Sequence, residues 1–155
     1  MLARGLNEHQ RDPVKYFTKG AILRDGFGRN RRFHALLAKI AERPVGYALY
    51  VPSYETGWAE TGLYLQDLFV SAGARRSGVG RALLAALAHE AARRGGDYVW
   101  CTAKIWNRDA HAAYRGTGAV EEKLMAYAWI RGTFARLVRE GASLMGAPTR
   151  GARRA

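Results

Sequence analysis

Hydrophobic and polar positions near the start of the 155-residue chain predict two short helices. Residues 2–10 have a helical pattern, which the Arg-Asp-Pro stretch at 11–13 interrupts because proline does not continue a helix. Thr18 is suited to cap a second helix, and the stretch Asp-Gly-Phe-Gly at 25–28 predicts its end. The chain therefore begins with helices.

Strand-like segments follow. Residues 33–42 and 44–55 are rich in β-branched, aromatic and aliphatic side chains, and the stretch Glu42-Arg43-Pro44 separates them. This arrangement predicts a hairpin, and residues 61–70 predict a third strand.

The clearest helix in the chain is predicted over residues 78–94. Its apolar positions recur every four residues, at Val79, Leu83, Leu87 and Ala91. A strand is predicted over residues 97–105, followed by a short helix that contains Tyr114 and begins at Asn107 or Asp109.

The remaining pattern predicts a final strand over residues 120–130 and a terminal helix over residues 133–145. Antiparallel strands followed by a strand–helix–strand crossover indicate an α+β fold with a parallel strand pair at the centre of the sheet. Residues 1–145 are predicted to form one domain, and residues 146–155 a basic, flexible tail.

Composition narrows the choice of partners. A formal charge of +12 predicts attraction to anions, nucleic acid included. The single cysteine excludes an internal disulfide and suits a reducing compartment. No apolar run reaches the roughly 18 residues that a membrane span needs, so we expect a cytoplasmic protein without a membrane partner.

A glycine- and arginine-rich loop precedes the strong helix. Gly78 and Gly80 allow close approach to the backbone, and a helix N-terminus supplies free N–H donors, so the loop predicts a phosphate or pyrophosphate site. The loop continues Gly80-Arg81-Ala82 where a P-loop has Gly-Lys-Ser or Gly-Lys-Thr. It has Leu83 where the dinucleotide fingerprint has its third glycine.

The pattern that fits is Arg-x-x-Gly-x-Gly after a strand, at Arg75, Gly78 and Gly80, followed by Asn107 and Tyr114. With this pattern, the stretches DGFG, LYLQDLFV and WNRDAHAAYRGTGA resemble the GNAT N-acetyltransferase family, nearest to its spermidine/spermine and thialysine branch. The resemblance covers about residues 2–130. Members of the family begin with a strand ahead of the first helix, and we expect this strand to be missing here.

This resemblance implies that acetyl-CoA is the acetyl donor and that no metal takes part. Backbone amides of the loop would hold the pyrophosphate, the edge of the preceding strand would bind the pantetheine arm, and an asparagine would contact that arm. The implied cofactor-binding residues are Leu68, Phe69, Val70, Arg75, Arg76, Ser77, Gly78, Val79, Gly80, Arg81 and Asn107.

By the same resemblance, Tyr114 is the general acid, because a phenol stays protonated at neutral pH and can donate to a departing thiolate. A backbone N–H at Val70 or Phe69 would hold the oxyanion. The base stays open between a water chain touching Asp67, Tyr64 or His9 and an amine that arrives neutral. Tyr114 packing in the core remains the alternative to a catalytic role.

Substrate contacts are expected at His9, Gln66, Asp67 and Trp106. The polyamine branch has acidic residues where this chain has Gln66 and Ile105, and a further one near His9. The sequence therefore predicts an amino-acid-like or monoamine substrate in preference to a polyamine.

Two further expectations concern partners. Relatives of this branch are commonly dimeric, which implies a homodimer. The alternative function, favoured by the charge, is a basic module associated with nucleic acid or the ribosome that acetylates a protein or turns over weakly.

Cys101 alternates in phase with Val99, Ala103 and Ile105, which predicts that Cys101 is a core residue.

Overall fold

A computed structural model of the chain describes residues 2–10 and 16–146. The predicted break at 11–13 and most of the basic tail, residues 147–155, lie outside the described residues. The chain divides into two compact units, Met1–Val120 and Glu121–Ala155, each of which is described by itself. The single domain expected over residues 1–145 stays a prediction.

The first unit begins with helices α1 (Leu2–Gln10) and α2 (Lys19–Phe27). Thr18 caps α2 as predicted, and its Oγ1 accepts a hydrogen bond of 3.2 Å from the backbone N–H of Ala21. On α1, Gly5 lies against Phe69, where a Cβ would come within 2.7 Å of the ring. The missing side chain therefore allows α1 to pack closely on the sheet.

Among the described residues, four strands form one sheet in the order β1 (His34–Ile40), β2 (Arg43–Glu55), β3 (Glu60–Val70) and β4 (Tyr98–Cys101). Strands β1, β2 and β3 pair in antiparallel fashion, whereas β3 and β4 are parallel. The mixed sheet with flanking helices confirms the predicted α+β class.

The turn between β1 and β2 differs from the prediction. It consists of Ala41 and Glu42, with φ of 45° and 64°, while Arg43 and Pro44 already belong to β2. A two-residue turn with positive φ at both positions matches the twist of the strands it joins. Pro44 lies near the start of β2, inside the strand predicted over residues 44–55, where its missing N–H is tolerated.

Helix α3 (Val79–Arg93) forms the core with the sheet. Its predicted apolar stripe is confirmed, since Leu83, Leu87 and Ala91 are buried against Leu63 and Leu65 of β3. The helix is long enough to place its two ends at opposite ends of the sheet.

Strand β4 is shorter than predicted. It ends at Cys101, and helix α4 (Arg108–Arg115) begins after a loop. The predicted extension of this strand to residue 105 is wrong, and Ile105 is 93% exposed. Cys101 itself is half-buried and packs against the main core cluster.

The second unit contains helix α5 (Arg131–Leu144), which corresponds to the predicted terminal helix. The prediction of a strand over residues 120–130 is wrong, because none of these residues forms a strand in the structure. A strand requires a paired neighbour, which strand propensity alone does not provide. Consequently the parallel pair lies at one end of the described sheet, not at its centre. No helix in the described parts of the chain is long and apolar enough to cross a membrane.

Candidate active site

A β-bulge in β3 creates the candidate site. The register between β2 and β3 pairs Leu49 with Asp67 and Tyr50 with Leu65, which leaves Gln66 as the extra residue. Pairing between β3 and β4 ends at Leu65 and Cys101, next to the bulge. The two strands therefore diverge beyond Gln66.

The gap left by the diverging strands is a cleft of about 820 Å³. Leu68, Phe69 and Val70 of β3 line one part of it, and α4 lines another. The lining residues of α4 are mostly small, with Ala110 and Ala113 beside Tyr114. Strand-edge backbone in such a gap has hydrogen-bonding groups that a ligand carrying amides can satisfy.

One end of the cleft is the glycine- and arginine-rich loop. Arg76 and Gly78 have positive φ of 61° and 86°, and Gly78 is the N-cap of α3. Left-handed residues at a helix N-terminus turn backbone N–H groups toward an anion. A Cβ built on Gly78 would meet no protein atom within 4 Å, so the space in front of this residue is open to a ligand.

Guanidinium groups surround the same loop. Arg75, Arg76 and Arg81 all line the cleft. Nε of Arg75 donates to the carbonyl oxygen of Val70 at 3.1 Å, and Nη1 of Arg81 donates to that of Gly116 at 3.1 Å. These bonds hold two cations at the cleft wall, where they can attract a polyanionic ligand.

Tyr114 lies on α4 and lines the cleft. Burial raises the pKa of its phenol, and the neighbouring Cys101 and Tyr64 raise the pKa further. The phenol therefore keeps its proton over the physiological pH range, as a general acid must.

Helix α1 reaches the cleft through His9 and is joined to the loop after β4. His9 lines the cleft and contacts Trp106 edge to face, with 6.3 Å between the ring centroids. Nζ of Lys104 donates to the carbonyl oxygen of Gln10 at 3.0 Å and lies 5.8 Å from the centre of the Trp106 ring. Helix α1 and this loop thus form one connected wall.

Asp67 lies beside the bulge and accepts a hydrogen bond of 3.3 Å from the hydroxyl of Tyr47. Burial raises the pKa of Tyr47, and the carboxylate of Asp67 raises it further. This pair lies between β2 and β3, where it fixes the strand on the near side of the bulge.

Comparison with known proteins identifies the family. The sequence profile of the acetyltransferase (GNAT) family matches residues 4–119. The chain belongs to the GNAT acetyltransferase family. It is therefore an N-acetyltransferase that acts on amines, and GNAT acetyltransferases use acetyl-CoA.

Relatives agree with the branch that the sequence indicated. A thialysine N-epsilon-acetyltransferase of Bos taurus is 33% identical over 128 residues, which cover 76% of this chain and 74% of the relative. A spermidine/spermine N(1)-acetyltransferase-like protein of Homo sapiens is 30% identical over 111 residues, or 67% of this chain and 16% of the relative. An aminoglycoside N-acetyltransferase solved in complex with CoA shares the fold, with a TM-score of 0.63, 17% identity and coverage of 83% and 90%.

Most predicted site residues of this GNAT enzyme lie around one cleft. The lining includes Tyr114, His9, Leu68, Phe69, Val70, Arg75, Arg76, Gly78, Gly80 and Arg81. Their assigned roles stay predictions.

Other predicted residues do not line the cleft, and each has another environment. Ser77 Oγ donates to the carbonyl oxygen of Ala74 at 2.8 Å, and Val79 packs on the core. Asn107 caps α4, its Oδ1 accepting from the Ala110 N–H at 3.2 Å. Gln66 is exposed at the bulge, and Trp106 contacts the cleft through His9.

Sequence reasoning missed several lining residues, namely Ala72, Leu84, Asp109, Ala112, Ala113, Gly116 and Thr117. The alanines of α4 and the glycine that caps its C-terminus gave a signal, because small side chains on a helix allow a ligand to approach its backbone. Within the described residues, no group of three or more histidine, cysteine or acidic side chains could hold a metal ion.

Proposed function

We propose that this GNAT enzyme transfers the acetyl group of acetyl-CoA to the primary amine of a small, amino-acid-like or monoamine substrate. The observation that carries the proposal is a single cleft with an anion-binding loop at one end and a protonated, half-buried tyrosine on its wall. An acyl transfer from a pyrophosphate-containing thioester to an amine requires both features.

The residues present fit the donor. Backbone amides of the loop around Gly78 and Gly80, with the guanidinium groups of Arg75, Arg76 and Arg81, would hold the pyrophosphate. Backbone groups of the β3 edge would bind the amides of the pantetheine arm. When bound, acetyl-CoA supplies an activated acetyl group as a thioester.

In the mechanism we propose, Tyr114 donates its proton to the sulfur as the carbon–sulfur bond breaks. A backbone N–H of Val70 or Phe69 stabilises the developing negative charge on the carbonyl oxygen. The amine must lose a proton when it attacks. A water chain along His9, Tyr64 or Asp67, or binding of an already neutral amine, would meet this need.

The wall formed by helix α1 and the loop after β4 favours an acceptor amine with few positive charges. Ile105 and Gln66 stand where polyamine enzymes have acids, and the cation Lys104 lies beside Trp106 in the same wall. Asp109 is the only acidic side chain among the residues that line the described cleft. The name of the thialysine acetyltransferase relative, an enzyme for a lysine analogue, supports an amino-acid-like substrate.

A panel of amines tests the proposal by release of free thiol from acetyl-CoA. We compare kcat/KM for lysine, ornithine, an aromatic monoamine and spermidine at one ionic strength. Loss of two carboxylate contacts costs about 2 kcal/mol, so spermidine should be poorer than the best substrate by about thirtyfold. Spermidine as the best substrate by tenfold would contradict the substrate assignment, and no turnover with any amine would contradict the enzyme assignment.

We further propose that the protein is a cytoplasmic homodimer. The single cysteine supports a reducing compartment. Support for the dimer comes from the described run 124–130, which is apolar at every position. Its exposed large side chains are Leu124, Met125, Tyr127, Trp129 and Ile130. Several large apolar side chains exposed within one short segment are typical of a protein interface. Light scattering should give the mass of two chains, and Tyr127→Lys combined with Trp129→Lys should give the mass of one.

A further inference from the structure

A second cavity lies in the first unit, between the loop that precedes β1 and the C-terminal end of α3. Its volume is about 240 Å³. The polar residues that line it are Arg31, His34, Tyr50, Glu90 and Arg94, and none of them lines the cleft that contains Tyr114. Arg94 is the C-cap of α3, whereas the glycine- and arginine-rich loop precedes the N-terminus of the same helix. The two cavities therefore lie toward opposite ends of α3.

We propose that this cavity is a second ligand site, separate from the acetyl-CoA cleft, which binds the carboxylate or phosphate group of a small molecule. Pockets for drug-sized ligands have about 300–1,000 Å³, so this smaller cavity suits a smaller ligand. The inference goes beyond the proposed function and does not depend on it, because the residues involved take no part in acetyl transfer.

The only carboxylate that lines this described cavity is already neutralised. Nε and Nη2 of Arg93 donate to the two oxygens of Glu90 at 2.8 and 2.9 Å, and Nε of Arg94 donates to Oε1 at 2.7 Å. The hydroxyl of Tyr50 donates to the same Oε1 at 3.2 Å. Glu90 is therefore occupied by its own neighbours, and two guanidinium groups share one carboxylate, which leaves one positive charge over.

Arg31 supplies a second positive charge. Its exposed side chain lines the cavity, and among residues 2–10 and 16–146 it has no hydrogen-bond or ion-pair partner. Asp25 does not neutralise Arg31, because its carboxylate accepts a hydrogen bond of 2.8 Å from Nε of Arg24. The C-terminal end of the α3 dipole contributes only about half a negative charge. The cavity thus has a surplus of positive charge that an anion would balance.

The guanidinium group of Arg94 is held in place before any ligand binds. Its Nε bonds to Glu90, its Nη2 lies 3.5 Å from the hydroxyl of Tyr50, and its central carbon lies 5.5 Å from the centre of the Tyr50 ring. An arginine has five N–H donors, so others stay available for the oxygens of a carboxylate or phosphate. A side chain that is already fixed loses little conformational entropy on binding.

His34 completes the cavity and reports on its charge. The half-buried imidazole stacks on Tyr50, with 5.5 Å between the ring centroids and 22° between the planes. Burial lowers the pKa of His34, the charges of Arg94 and Arg31 lower it further, and Glu90 raises it. A bound anion would offset the two guanidinium charges and favour the imidazolium, so it should raise the pKa of His34.

Histidine-ring NMR signals of the whole protein test the proposal in solution. The chain has four histidines, and the spectrum of a His34→Gln variant identifies the signal of His34. We titrate the protein with inorganic phosphate, and separately with acetate, while sodium chloride keeps the ionic strength constant. The His34 signal should shift to saturation, and its pKa should be higher with the anion bound. Saturation with phosphate alone, with acetate alone or with both would support the site and identify the group that it prefers.

The same spectra separate this site from the acetyl-CoA cleft. His9 lines that cleft, so its signal reports binding there, whereas His34 reports only the second cavity. Shifts of His34 that do not saturate with either anion would overturn the inference, whatever the enzyme does with amines. Saturation at His34 in a protein that turns over no amine would contradict only the proposed function.

Two neighbouring arginines provide a matched pair of variants. Arg31→Gln removes a charged donor from the cavity and should raise the Kd for the better-bound anion at least about tenfold. Arg32→Gln removes the same charge from the next residue, which is also exposed but does not line the cavity, and should change Kd by less than about twofold. Equal Kd values for Arg31→Gln and Arg32→Gln would mean that the anion follows the general basic surface, and would overturn the inference. Because both side chains are exposed, both variants should keep the Tm of the wild type within about 1 °C.

Discussion

Substitution of Gly78 separates two contributions of the loop, its backbone conformation and its positive potential. Gly78 has φ of 86°, and a side chain there would project into open space, not into protein. Asn and Asp have nearly the same shape, and both tolerate left-handed backbone better than other residues. Gly78→Asn and Gly78→Asp therefore share the conformational cost and differ by one negative charge.

The size of the effect follows from Coulomb's law. A carboxylate about 4 Å from a phosphate charge costs roughly 1 kcal/mol in water and about 4 kcal/mol in a typical protein surface environment. Because the cleft is open on one side, we expect an intermediate repulsion of about 2 kcal/mol, which raises the Kd for CoA about thirtyfold. The conformational cost of about 1 kcal/mol should lower Tm by about 3 °C in both variants.

The assay is isothermal titration calorimetry with CoA at two salt concentrations. Gly78→Asp should bind CoA about thirtyfold more weakly than Gly78→Asn, and added salt should reduce the difference. Gly73→Asp adds the same charge in the preceding turn, where a Cβ also meets open space, and serves as the control. Equal Kd values for the Asn and Asp variants at low salt would refute the anion-binding role of the loop.

Three other predictions follow from contacts in the first unit. Tyr114→Phe should lower kcat about a hundredfold without weakening CoA binding, as measured by steady-state kinetics and calorimetry; a near-native kcat would return Tyr114 to a packing role. Asn107→Ala should remove the cap of α4 and lower Tm by about 3 °C, the equivalent of about 1 kcal/mol, whereas Asn107→Asp should retain it. Hydrogen bonds from Arg93, the larger cause, and from Arg94 lower the pKa of Glu90 from 4.5 to about 2. The Glu90 carboxylate therefore stabilises the fold above pH 4.5, and this stabilisation is lost as the pH falls toward 2. Glu90→Gln should flatten that part of the Tm-against-pH curve, and an unchanged slope would contradict the assignment.

Elements fixed by local signals were predictable from the sequence. Helix α3 has an apolar position every four residues, and its N-terminus coincides with the glycine that adopts positive φ. Thr18 and Asn107 cap their helices through their own side chains. In each case a few neighbouring residues determine the local conformation, so a single sequence contains the information.

Elements that depend on distant partners were not predictable in the same way. The strand pattern of residues 97–105 is continuous, yet β4 ends at Cys101 because the bulge at Gln66 turns the neighbouring strand away. The local sequence of β4 contains no signal for the bulge in the neighbouring strand. The segment 120–130 has strand propensity without a paired neighbour in the described sheet.

The same contrast applies to Cys101, at the end of β4. Period-two alternation correctly placed Cys101 in phase with Val99, and both pack against the core cluster. The next in-phase position, Ala103, already lies beyond the end of β4. Cys101 thus stands at the last paired position of β4, where the pairing with β3 ends. A residue at such a boundary keeps the alternating pattern of a core strand, so the pattern alone does not show where the strand ends, and the end of β4 is visible only from its pairing with β3.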